Sequence, residues 1–215
     1  MSFAAVVFDF DGTLADSYAA IAASVNHVRA HRGVTPMTVD EVKRFVGRGP
    51  EYLLAHTVPG GDFATDFARY RAHHPSVMFE GTRLLPGAAE VVTALHRAGT
   101  HLGLCSNKPR VFSAELLRHL GIAEFFDLVL GPEDVVRPKP APDMLRAALD
   151  RLRLPAERVL YVGDMTVDIE TARAAGVTVW AVPTGSDERS ALLAAHPDRV
   201  LETLHDILQA LPKTP

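Results

Sequence analysis

Near its start the chain passes from an apolar, β-branched stretch straight into paired acids: Ala4-Ala5-Val6-Val7-Phe8, then Asp9-Phe10-Asp11-Gly12-Thr13. A short apolar run that stops at acids and a glycine reads as a buried strand followed by a turn. The stretch has no basic flank and is interrupted by Asp9 and Asp11, so it is not read as a targeting signal. Alternation along the strand would send Asp9 and Asp11 to the same side if the strand continued that far. Taken alone, aspartates beside a glycine also suit a plain turn.

The rest of the chain decides what surrounds this strand. Between Asp16 and Arg83 the apolar period is helical: Ile21, Val25 and Val28 share a face, as do Phe63, Phe67 and Tyr70, with a shorter stripe at Val42, Phe45 and Val46. No alternating strand pattern interrupts them. After Pro86, apolar strands are expected near residues 101–105, 127–130, 158–162 and 177–182. Helical stripes such as Leu116, Leu117 and Leu120, or Leu145, Leu149 and Leu152, lie between them. Strands linked by crossover helices pair in parallel, so the fold class is α/β with a doubly wound parallel sheet. Ligands of such sheets collect beyond the carboxyl ends of the strands.

Three further strand ends carry polar groups. The second strand runs into Ser106-Asn107-Lys108, offering a hydroxyl, an amide and backbone N–H groups near a helix start at Pro109. These could cradle a phosphate or simply cap the helix. Arg137-Pro138-Lys139-Pro140-Ala141-Pro142 restricts the backbone around Lys139. Gly163-Asp164-Met165-Thr166-Val167-Asp168 places two carboxylates four residues apart at a helix start, where Asp164 could equally serve as a cap. What favours chemistry is that acidic, hydroxyl and ammonium groups all arrive at one sheet edge.

In this order the motifs resemble those of haloacid dehalogenase superfamily phosphatases: Asp-x-Asp-Gly-Thr, then Ser or Thr, then Lys, then Gly-Asp-x-x-x-Asp. The likeness extends to the phosphoglycolate phosphatase group through Asp16-Ser17, Val46-Gly47-Arg48-Gly49, Ser106-Asn107-Lys108-Pro109 and Arg137-Pro138-Lys139-Pro140. It implies a Rossmann-like catalytic core, residues 1–15 and 84–215, with residues 16–83 inserted as an α-helical cap. It makes Asp9 the nucleophile and Asp11 the general acid and base. Lys139 would offset charge, and Ser106 and Asn107 would take phosphate oxygens. Gly12 and Thr13 are further candidates for substrate contact, with Thr13 orienting Asp11.

Four carboxylates in one cleft require a cation, and Mg²⁺ suits oxygen ligands and phosphate substrates. The resemblance gives its ligands as Asp9, the Asp11 backbone carbonyl and Asp164, with Asp168 acting through water or from behind. Arg48, between two glycines, is a candidate grip for an anionic leaving group. His73 and His74 lack the carboxylate company of a zinc site. A dehalogenase is disfavoured because that branch lacks the second aspartate of the first motif. A pyrophosphatase, nucleotidase or sugar-phosphate phosphatase shares the same core, and a phosphate-sensing module is the alternative from another class.

Apolar residues make up 47% of the 215 and charged residues 22%, the balance of a globular chain. A formal charge of −4 gives no basic field for nucleic acid or an anionic bilayer. One cysteine, Cys105, excludes an internal disulfide and fits a reducing cytoplasm. The expected partner is therefore a small phosphate ester, met by a cytoplasmic monomer or homodimer.

Overall fold

The computed structural model describes residues 3–211. Six strands form one parallel sheet in the order β5-β4-β1-β6-β7-β8. They are β1 (Ala5–Phe8), β4 (His101–Cys105), β5 (Leu128–Leu130), β6 (Val159–Gly163), β7 (Thr178–Ala181) and β8 (Arg199–Val200). The first five fall where the apolar runs predict them. β8 has only two residues, too few to register as a period.

Alternation along the strands builds two cores. Val6 and Phe8, with Leu102, Leu104, Leu160 and Val162, pack toward α5 (Ala88–Arg97) and α6 (Arg110–His119). Helix α10 (Ile207–Ala210) joins the same face through Ile207. Ala5, Val7, Cys105 and Tyr161 face the other way, onto α7 (Asp143–Leu152), α8 (Thr166–Ala175) and α9 (Arg189–Ala194). Both faces of β1 are buried, which is why its sequence is a continuous apolar run.

Between β1 and α5 lie four helices: α1 (Tyr18–His31), α2 (Val39–Lys43), α3 (Pro50–Thr57) and α4 (Phe63–His73). The stripe Ile21, Val25, Val28 is the buried face of α1, and Tyr70 is the buried anchor of α4. Val42 lies on α2, but Phe45 and Val46 fall beyond its end. Thr38 ends the preceding loop: its hydroxyl accepts the Glu41 N–H, and Glu41 accepts the Thr38 N–H. Two short strands, β2 (Ala15–Asp16) and β3 (Arg83–Leu84), pair antiparallel where the chain leaves and re-enters the sheet domain.

Candidate active site

Strand β1 ends at Phe8, and the Asp9 N–H is tied to the Val162 carbonyl of β6 at 2.9 Å. That bond fixes Asp9 at the carboxyl edge of the sheet. Asp9, Asp164 and Asp168 bring carboxylate oxygens within 4.8 Å of one another, all three residues buried. Lys139 stands among them, its Nζ 2.7 Å from Asp168 Oδ1 and 3.0 Å from Asp9 Oδ1. The contact with Asp9 is an ion pair, and that buried oxygen makes no further hydrogen bond.

Burial opposes the charge on Lys139, but Asp168 and Asp9 outweigh it and hold its ammonium well above the ordinary lysine value. Its Nζ also donates to the Tyr161 hydroxyl at 3.0 Å, which lies 2.9 Å from the Cys105 carbonyl. Burial first, then Asp168 and Asp9, push the Tyr161 phenol well up, so it remains a neutral hydroxyl. The ammonium is thus held by Asp9 beyond β1, Tyr161 of β6 and Asp168 of α8.

Asp168 is the helix cap of this site. Its Oδ2 accepts the N–H groups of Met165 at 3.0 Å and Asp164 at 3.2 Å, while Oδ1 faces Lys139. Sequence allowed the capping role to Asp164, and the structure gives it to Asp168. Asp164 instead accepts the Thr13 hydroxyl at 2.7 Å and the Ser186 N–H at 3.3 Å. Thr13 therefore orients Asp164 and not Asp11, correcting the expectation. Gly12, at φ +84°, packs behind the same carboxylate: a Cβ there would stand 2.5 Å from Asp164 Oδ2 and 2.4 Å from the Tyr18 hydroxyl. Neither Gly12 nor Thr13 lines the cleft.

Asp11 is held by two groups that sequence did not assign. The Ser17 hydroxyl donates to its Oδ1, and Lys108 Nζ lies 3.1 and 3.3 Å from its two oxygens. Lys108 is buried, and the sequence assigns its ammonium no role; its pairing with Asp11 spans 97 residues and leaves no local signal. The side chain of Asp11 stands outside the carboxylate cluster.

Between sheet edge and cap is a cavity of about 40 Å³, which at about 10–15 Å³ per water holds roughly three waters. Asp9, Asp11, Ser106 and Lys108 form its polar side. Ile21, Val46, Pro50, Leu53 and Tyr70 form an apolar cap wall. Ser106 accepts the Lys108 N–H at 3.2 Å through its oxygen. Asn107 also borders the cavity, but its amide is occupied: Nδ2 donates to the Gly47 carbonyl at 3.1 Å and the Lys139 carbonyl at 3.0 Å, and Oδ1 accepts the Lys139 N–H at 3.0 Å. That replaces the expected phosphate contact. Arg48 is exposed, its guanidinium 5.7 Å from the Tyr52 ring centroid, and only the glycines beside it line the cavity. An arginine flanked by two glycines is free to turn outward.

The donor set fits a divalent cation. Three carboxylates against one ammonium leave two negative charges uncompensated, and the buried Asp9 Oδ1 has no partner beyond that ammonium. Burial, then Asp168 and Asp9, drive the Asp164 carboxyl well above the usual range, the strain that such a cation relieves. Oxygen ligands alone favour a hard ion.

Comparison with known proteins agrees. Phosphoglycolate phosphatase of Yersinia pseudotuberculosis serotype I (strain IP32953) is 34% identical over 213 residues, spanning 96% of this chain and 92% of that protein. Phosphoglycolate phosphatase of Cereibacter sphaeroides is 37% identical over 213 residues, spanning 96% of each. The crystal structure of a haloacid dehalogenase-like hydrolase from Bacteroides fragilis matches with a TM-score of 0.90 at 34% identity, covering 95% of this chain and 99% of that one. A family model, haloacid dehalogenase-like hydrolase, matches residues 6–182, from the strand that presents Asp9 to the end of β7. With its carboxylates and lysine gathered at that sheet edge, the chain belongs to the haloacid dehalogenase-like hydrolases.

Proposed function

We propose that this protein is a magnesium-dependent phosphatase that hydrolyses small anionic phosphate monoesters, phosphoglycolate being the model substrate, through a phosphorylated Asp9. The observation that carries this reading is the Asp9 carboxylate lining the cavity, ion-paired to Lys139 and within reach of Asp164 and Asp168, with Asp11 lining the same cavity. Relatives named phosphoglycolate phosphatase support the substrate class.

An Asp9 oxygen attacks phosphorus, forming the Asp9–phosphoryl bond as the bond to the leaving oxygen breaks. Protonated Asp11 gives its proton to that oxygen. Asp11, now a carboxylate, takes a proton from water, whose oxygen attacks phosphorus and frees Asp9 and inorganic phosphate. Ser17 and Lys108 keep Asp11 facing the cavity throughout. Lys139 offsets charge beside Asp9, and the Ser106 hydroxyl is placed to donate to a phosphoryl oxygen. Asp9, Asp164 and the Asp11 carbonyl, with Asp168 behind, would hold Mg²⁺, which would supply positive charge to the transferring group.

Helices α1–α4 act as the cap, and their apolar wall selects the leaving group. Lys108 is the cavity's cation, so a short leaving group with one carboxylate suits it better than a nucleoside or sugar, whose hydroxyls would meet Ile21, Val46 and Leu53 unpaired. No helix among the described residues is long and apolar enough to cross a membrane. A lone buried thiol, Cys105, suits a reducing cytoplasm.

A panel of phosphoglycolate, pyrophosphate, a nucleoside monophosphate and a sugar phosphate, each assayed with Mg²⁺ and with chelator, tests the reading. The expected result is Mg²⁺-dependent release of phosphate with phosphoglycolate preferred. Activity that survives chelation, or preference for the nucleotide, counts against it.

A further inference from the structure

Asn107 makes three hydrogen bonds that join parts of the molecule far apart in sequence. One reaches the cap at the Gly47 carbonyl, 60 residues away. Two grip the backbone of Lys139 on both its N–H and its C=O. Gly47 is itself pressed on the core: at φ +105° a Cβ there would sit 2.0 Å from Met165 Sδ, and Met165 donates its N–H to Asp168, the partner of Lys139. Cap loop and lysine loop are therefore bridged by one buried carboxamide with every polar atom engaged.

We infer that Asn107 is a positioning residue that couples the seating of Gly47 in the cap to the backbone of Lys139, so that the segment carrying the ammonium is held most firmly while Gly47 is seated. The inference rests on the reading of Lys139 as the charge-offsetting group of the reaction. A carboxamide can act this way because its donor end and acceptor end are rigidly coplanar. Displacing the Gly47 carbonyl removes one of the two acceptors of Nδ2, leaving the carboxamide anchored to Lys139 alone, so the pair loses its tie to the cap and can shift together. A buried amide left with an unmet donor also raises the cost of the open form.

Hydrogen exchange tests this without turnover. Prolines at 138, 140 and 142 leave Arg137, Lys139 and Ala141 as the only amides of that loop, so the Lys139 signal is isolated. Gly47→Ala, which pushes the cap loop off Met165, is expected to speed exchange of the Lys139 amide about tenfold, although it touches nothing in that loop. Asn107→Ala is expected to do the same or more, and the double variant to match Asn107→Ala alone. Asn107→Asp, which sets an acceptor against two carbonyls, serves for the same cycle if the alanine variant does not fold. In parallel, kcat for phosphoglycolate falls about tenfold in each single variant and no further in the double. Unchanged Lys139 exchange in Gly47→Ala, or effects that multiply in the double variant, overturn the inference. A wild-type protein inert toward the substrate panel sinks the phosphatase reading, while the exchange cycle still decides the linkage.

Discussion

The Thr13 hydroxyl donates to Oδ1 of Asp164 at 2.7 Å, joining residues 151 apart in the chain. The two lie on adjacent strands' exits, so a motif that looks like one site residue after another is really a mutual support. Support of this kind commonly governs metal affinity tenfold or more. Thr13→Val is expected to raise the Mg²⁺ concentration for half-activation about tenfold, with little change in kcat at saturating Mg²⁺. A titration of activity against Mg²⁺ measures both.

Asp9→Asn removes the attacking oxygen and one of the three clustered charges. Turnover should fall on the order of 10³-fold or more. In chelator the same variant should melt higher than wild type, because like charges repel less, and Mg²⁺ should no longer raise its melting temperature. Thermal scans with and without Mg²⁺ check this, and a variant that melts lower in chelator would speak against a repulsive cluster.

Lys108→Met leaves the fold's apolar packing and removes the cavity's cation. For phosphoglycolate, kcat/KM should drop roughly a hundredfold, the equivalent of about 2–3 kcal/mol. An ester with an uncharged leaving group should lose less. Arg48→Ala, by contrast, should change either substrate no more than about threefold, since its guanidinium rests in solvent over Tyr52. Steady-state kinetics on the two esters separates the cations.

His74 is buried between Tyr70 and Phe112, hydrogen-bonded through Nδ1 to Ser24 at 2.9 Å, with its other nitrogen unpartnered. Burial, then Lys108 and His73, carry its pKa down to about 2. The unfolded chain takes up a proton near pH 6.5 and the folded one does not, so stability falls as pH drops from about 6.5 toward 2, by about 1.4 kcal/mol per pH unit. His74→Phe should flatten that part of the stability curve. Denaturant unfolding of both proteins between pH 7 and 4.5 measures the difference in slope.

The sheet was legible because buried parallel strands leave continuous apolar runs, and the clustered polar groups were legible because most of them stand directly after those runs. Asp9, Asp11, Ser106, Lys139, Asp164 and Asp168 do come together at one edge. What sequence misassigned were roles decided by partners: Thr13 serves Asp164, Asn107 serves Gly47 and Lys139, and Arg48 turns outward. Lys108 and Ser17 were missed because their shared partner, Asp11, lies across a fold that local spacing cannot express. Strands β2, β3 and β8 escaped because two residues carry no alternation.

The pairing of Ala15 with Leu84 and Asp16 with Arg83 puts both ends of the helical insert at one spot. Its departure and return are neighbours, so the sheet is indifferent to how long the excursion is or what shape it takes. A chain built this way behaves as a socket with a cartridge: the insert can change in length or shape without moving the edge that carries Asp9 and Asp164.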